Sequence, residues 1–165
     1  PLLIVSIYHT AKDFFEINET TKLSLFSAIE VINAAITLFR EKNLPVVCIQ
    51  HLDERDGLKP GNPGFDLPGE LEIMPEDIHI YKTYGNAFNK TDLADQLRAL
   101  QAGPLIISGF CAEFCVLSTY RGALDQDFEP IMLQDGLASG NQDNLRFVVD
   151  ISEGITCGSL KSLLG

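Results

Sequence analysis

The sequence predicts an α/β fold, a three-layer α/β/α sandwich with a mainly parallel central sheet. Continuous apolar runs of strand length recur along the chain, and stretches with helical spacing separate them. Strands that alternate with helices pair in parallel through right-handed crossovers. No internal repeat and no linker divides the chain, so residues 1–165 are expected to form one domain.

Residues 2–7, with Tyr8 at the margin, are rich in β-branched side chains and read as a buried strand. Leu25, Ile29, Ile32, Ile36 and Phe39 follow in steps of four, three, four and three, which lays one apolar stripe along a helix. Lys42-Asn43 ends it and Pro45 forbids continuation. Val46-Val47-Cys48-Ile49-Gln50-His51 is the second strand. Residues 53–76 hold four glycines and four of the eight prolines, so they form a long irregular loop. Loops of that length inside a domain are usually functional.

A short strand is expected over 78–81. A helix follows over 91–100, with Leu93, Leu97 and Leu100 on one face and Thr91 as its cap. Residues 104–108 make another buried strand, ended by Gly109. Residues 112–125 are helical, 130–134 a strand and 141–152 a helix, and a last short element begins at Ile155.

Composition removes several function classes. The 12 Lys and Arg against 23 Asp and Glu give a net charge of −11. That leaves no basic face for nucleic acid and no attraction to an anionic membrane. The apolar start meets His9, Lys12 and Asp13 too soon for a signal peptide, and no window is expected to span a bilayer. The four cysteines, at 48, 111, 115 and 157, form neither a CxxC pair nor a zinc-finger spacing. The expectation is a cytoplasmic protein acting on a small molecule.

In open parallel sheets, sites form at the carboxyl ends of strands, beside the helix N-termini that follow. Four ends qualify here: residues 6–9, residues 51–53, Lys82, and the corner Gly109-Phe110-Cys111-Ala112-Glu113-Phe114-Cys115. At that corner a helix N-terminus and a nearby lysine would lower the Cys115 thiol pKa, and the corner's N–H groups would hold an oxyanion. The plainer alternative is a small buried hydrophobe, the commonest fate of a free cysteine. Lys82 after a strand is ordinarily solvated. Its setting, Lys82-Thr83-Tyr84-Gly85-Asn86-Ala87-Phe88, instead reads as a packed loop.

That stretch resembles the K-x-x-x-[SN]-A-F loop of the isochorismatase-like cysteine hydrolases. The family includes nicotinamidases and N-carbamoyl amide hydrolases. Gly109-Phe110-Cys111-Ala112-Glu113-Phe114-Cys115-Val116 is similar to the family's G-x-x-[TA]-x-x-C-V nucleophile corner. Thr119, Gly122-Ala123 and Asp135 continue the rhythm. The resemblance implies Cys115 as nucleophile, Lys82 as catalytic lysine, a non-proline cis peptide at Phe110–Cys111, and a homo-oligomer.

The resemblance has one gap. The family's third catalytic residue is an Asp at the end of the first strand, in a pattern like L-L-V-I-D-x-Q-x-D-F. Aligned on Leu2-Leu3-Ile4-Val5, that position is Ser6; aligned on Asp13-Phe14-Phe15, it is His9. The family's glutamine becomes Tyr8 or Ala11. His9 can carry a proton near neutral pH and Ser6 cannot.

Nicotinamidase-like members hold a divalent ion with Asp-x-His after the second strand and a later His. Here the order is His51-Leu52-Asp53, and the later His is His79. Two ligands make a weak site, so no metal and no organic cofactor is expected, and His51 is assigned to substrate binding. Residues 53–76 carry seven acidic side chains against Arg55 and Lys59, which favours a neutral substrate over an anion.

The leading expectation is therefore a cysteine hydrolase of a small carbonyl compound, an amide. The rivals are a catalytically silent member that binds a small molecule or protein, and a thiol redox protein using Cys111 and Cys115.

Overall fold

The computed structural model describes residues 3–8, 15 and 17–165. Six parallel strands form one sheet in the order β3-β2-β1-β4-β5-β6. They are β1 (Leu3–Tyr8), β2 (Val46–His51), β3 (Ile78–Lys82), β4 (Leu105–Phe110), β5 (Pro130–Ala138) and β6 (Gly154–Ile155). The helices are α1 (Glu19–Glu41), α2 (Leu93–Ala99), α3 (Leu117–Asp125), α4 (Gln142–Asp150) and α5 (Cys157–Leu164). The chain runs outward from β1 through β2 to β3, then returns to place β4 on the other side of β1. That reversal is a topological switch point, where open α/β sheets bind ligands at the strand carboxyl ends.

Strand alternation sends side chains to two cores, which makes the three layers. Val47, Ile49, Ile80, Leu105, Ile107 and Met132 pack with Leu93, Leu97, Val116, Tyr120 and Val148 of α2, the corner before α3, α3 and α4. On the other face Val46, Ile106 and Leu133 meet Leu25, Ile29, Ile32, Ile36 and Phe39 of α1 and Leu160 of α5. All five residues of the expected α1 stripe are buried. Asn18 caps the helix by accepting the Thr21 N–H at 2.8 Å, and Asn43 turns the chain at φ 53°.

The structure corrects several sequence expectations. α2 starts at Leu93 with Asp92 as its cap residue, although the Thr91 hydroxyl accepts the Leu93 N–H at 3.3 Å. β4 runs through Gly109 to Phe110, with Gly109 at a φ of 120° that glycine alone adopts readily. β5 continues to Ala138: between the Ile107–Met132 and Gly109–Leu137 pairs, two steps on β4 face five on β5. This bulge lengthens the strand past the apolar run. α1 is, by length and composition alone, long and apolar enough to cross a membrane, contrary to the expectation that no such window exists. Its apolar stripe lies against the sheet.

Cys48 is fully buried in β2, and burial pushes its thiol up from 9.0 to about 12. The unfolded thiol loses its proton near pH 9 while the folded one keeps it. Stability is thus full below pH 9 and falls as pH rises, by about 1.4 kcal/mol per unit up to the folded value. Cys48→Ala should remove that slope: above pH 9 in urea titrations, its midpoint should fall less steeply with pH than the wild type's. Parallel pH dependences would show that the thiol is not withheld from water.

Candidate active site

Val47-x-Ile49-x-His51 and Ile78-x-Ile80-x-Lys82 are apolar faces that each end in a polar residue. β2 and β3 pair with His51 opposite Lys82, so both side chains leave on one face at the strand ends. That face is the one on which Cys115 is packed.

Cys115 lies in the helical corner after β4. Its first turn is π-helical, Ala112–Val116, and α-helix begins only at Leu117. The Phe110–Cys111 peptide is cis. The Phe114 and Val116 N–H groups both donate to the Cys111 carbonyl, at 3.1 and 3.3 Å.

Lys82 is only 1% exposed, and its ammonium lies 3.3 Å from Cys115 Sγ. It also donates to the Tyr84 carbonyl at 2.9 Å and meets His51 Nδ1 at 3.2 Å. Burial lowers the Lys82 pKa, against the thiol's pull to raise it. The expectation of a lowered Cys115 pKa does not hold. Burial raises it, and the Lys82 ammonium only reduces that rise. His51 is half-buried and held below the usual imidazole value by burial and then by Lys82, with Asp53 opposing. The resting site is thus a thiol under tension between a dry setting and one close cation.

The lysine loop is held on α3 from below. The Ala87 N–H donates to Thr119 Oγ1 at 2.9 Å, and Thr119 is fully buried. Gly122 receives the Asn86 side chain so closely that a Cβ there would lie 2.5 Å from Asn86 Cγ.

Sequence reasoning missed Glu113. Its carboxylate accepts from Cys111 Sγ at 2.9 Å, Ser139 Oγ at 2.9 Å and Asn144 Nδ2 at 3.1 Å, tying the corner to the end of β5 and to α4. Burial and the carboxylate push the Cys111 thiol up to about 12, which disfavours a thiolate there. No linear motif signals that network, because its partners lie 26 and 31 residues away.

Ser6 lies in β1, in register with Cys48 and Ser108; its side chain and His9 lie outside the described residues. Among the described residues no three His, Cys, Asp or Glu side chains gather to hold a metal. The divalent site of nicotinamidase-like relatives does not fit here. His51 Nδ1 faces an ammonium, and His79 sits opposite Cys48 with its ring on the Met74 carbonyl at 3.0 Å.

Residues 53–76 are a built segment. Gln50 donates to the Phe65 carbonyl at 2.9 Å, and Phe65 is buried against Tyr81. Arg40 clamps Asp77 with two bonds, at 3.0 and 2.8 Å, and reaches the Glu72 carbonyl.

Comparison with known proteins bears on the family and the fold. The sequence model of the isochorismatase domain matches residues 7–151. The isochorismatase family protein YrdC of Bacillus subtilis, itself uncharacterised, is 29% identical over 114 residues; the match covers 68% of this chain and 61% of YrdC, so the chain spans about three fifths of that relative. The ureidoacrylate amidohydrolase RutB of Variovorax paradoxus is 32% identical over 78 residues, 47% of this chain and 31% of RutB. The crystal structure of an isochorismatase-like hydrolase from Alkaliphilus metalliredigens superposes with a TM-score of 0.86 at 20% identity, covering 99% of this chain and 96% of that one, a likeness of fold. The chain belongs to the isochorismatase family.

Proposed function

We propose that this chain is a cysteine-nucleophile hydrolase of a small neutral amide or ureido compound. The observation that carries the reading is the 3.3 Å contact between the buried Lys82 ammonium and Cys115 Sγ at the switch point of the sheet. The similarity to a ureidoacrylate amidohydrolase supports the amide class. The acidic segment that follows His51 disfavours an anion.

In this reading the thiol gives up its proton as substrate arrives, and Sγ bonds to the carbonyl carbon. N–H groups of the turn from the cis peptide at Phe110–Cys111 to Cys115 hold the oxygen as it gains charge; those of Phe114 and Val116 are already given to Cys111. The C–N bond breaks, the amine leaves with a proton, and water cleaves the thioester to acid and free thiol. Because burial keeps Cys115 largely protonated, a base is needed at attack. We assign that role to His9. β1 ends at Tyr8, so His9 follows the strand end, while Ser6 is paired within the sheet. The reading includes a reducing cytoplasm as the setting, where cysteines stay as thiols.

The test is ammonia release from a panel of simple amides and N-carbamoyl compounds. Cys115→Ala should abolish turnover, and His9→Ala should lower kcat by about a hundredfold or more, the usual worth of a general base. Stimulation by Ser6→Asp, with no effect of His9→Ala, would move the role to position 6. A wild type inert to the whole panel would favour the silent small-molecule binder.

A further inference from the structure

A lysine ammonium has three protons and no acceptor. Among the described residues, Lys82 Nζ has three neighbours at hydrogen-bond distance: Cys115 Sγ, the Tyr84 carbonyl oxygen and His51 Nδ1. Each takes one proton, so His51 must present a bare Nδ1 and carry its own proton on Nε2.

We infer that His51 is a positioning residue for Lys82: its unprotonated Nδ1 holds the ammonium against Cys115, and its protonation releases that hold. The contact is built into the sheet, since His51 and Lys82 are direct partners in the β2–β3 register. The Tyr84 carbonyl fixes a second direction, and Cys115 lies along the third. The inference deepens the hydrolase reading and rests on it for its catalytic meaning.

Protonation puts an N–H on Nδ1, and two positively charged donors then face each other 3.2 Å apart. Among the described residues, the charged and titratable groups around His51 are Lys82 from β3, Cys115 beyond it and Asp53 two residues on. Burial and Lys82 outweigh Asp53 and hold the imidazole neutral at pH 7. The release therefore falls on the acid side of the ordinary imidazole value of 6.5.

The test is the rate of Cys115 carbamidomethylation by iodoacetamide, read by peptide mass spectrometry on the full chain from about pH 4.5 to about pH 8. Ionisation of the thiol alone gives a slope of one in log rate against pH. The wild type should steepen towards two in acid as the His51 proton joins. His51→Asn puts an amide oxygen near the Nδ1 position, an acceptor that does not titrate. It should keep the rate at pH 7.5 to within roughly threefold and show a slope of one throughout. His51→Ala should lose about tenfold at pH 7.5 as Lys82 swings away from the sulfur.

A wild-type slope of one at every pH overturns the inference. So does a second-proton slope that persists in His51→Asn, which would belong to another group such as His9, and so does an unchanged rate in His51→Ala. None of these readouts needs turnover, so the alkylation profiles decide the role of His51 even if the wild type hydrolyses no amide.

Discussion

Lys82→Met is expected to slow alkylation of Cys115 at pH 7 by about tenfold to a thousandfold, with the fold retained. The sulfur sits in a dry pocket that disfavours the thiolate, and Lys82 opposes this by its charge and its hydrogen bond. A cation at this distance is worth about one to three pKa units, and each unit is tenfold in thiolate. Methionine fills the same volume. The variant removes the Lys82 donor from the Tyr84 carbonyl and from His51 Nδ1, a loss of about 1–3 kcal/mol for a buried group left unsatisfied, but also relieves the cost of a buried ammonium. The two oppose each other, so circular dichroism at 25 °C should stay native. Stopped alkylation kinetics across pH would read a thiol midpoint displaced upward. An unchanged midpoint would mean that the contact is geometric only, and the hydrolase reading would lose its main support.

Much of the scaffold was legible because burial writes itself as periodicity. The four- and three-residue steps from Leu25 to Phe39 and the runs at Val46 and Leu105 can satisfy their burial in few ways. What escaped was set by tertiary contact. The bulge that lengthens β5 and the π-helical first turn before α3 leave no local pattern. Cys157 opens α5 and is half-buried, its N–H given to Asp135 at 3.0 Å. For the site, Lys82 and Cys115 were visible because the stretches Lys82–Phe88 and Gly109–Val116 resemble the two motifs of a known family. The net direction of the Cys115 pKa was not, because burial outweighs a neighbouring charge by an amount that no sequence shows. Glu113 needed its three partners, just after β4, just after β5 and in α4, to be seen at all.

Gly122→Ala is expected to weaken the protein and to disarm Cys115 without touching it. On helix propensity alone the change should stabilise α3 by about 1 kcal/mol. The structure predicts the opposite sign. The added methyl would overlap Asn86 Oδ1 and come within 2.5 Å of its Cγ and Nδ2. Asn86 cannot simply swing aside, since its Oδ1 accepts the Phe88 N–H at 2.9 Å and its neighbour Ala87 is bound to the buried Thr119 hydroxyl. The loop must therefore lift from α3, at about 1–3 kcal/mol for overpacking. Tyr84, whose carbonyl holds the Lys82 ammonium, is in that loop. Lifting it moves the cation from the sulfur, so alkylation should slow as in Lys82→Met, and the urea midpoint should fall. Asn86→Ala removes the overlapping atoms. In the double variant Gly122→Ala, Asn86→Ala the midpoint should recover above that of Gly122→Ala alone, a coupling of about 1 kcal/mol or more between residues in contact. Additive losses would show that Gly122 is a glycine for some reason other than the docking of the lysine loop.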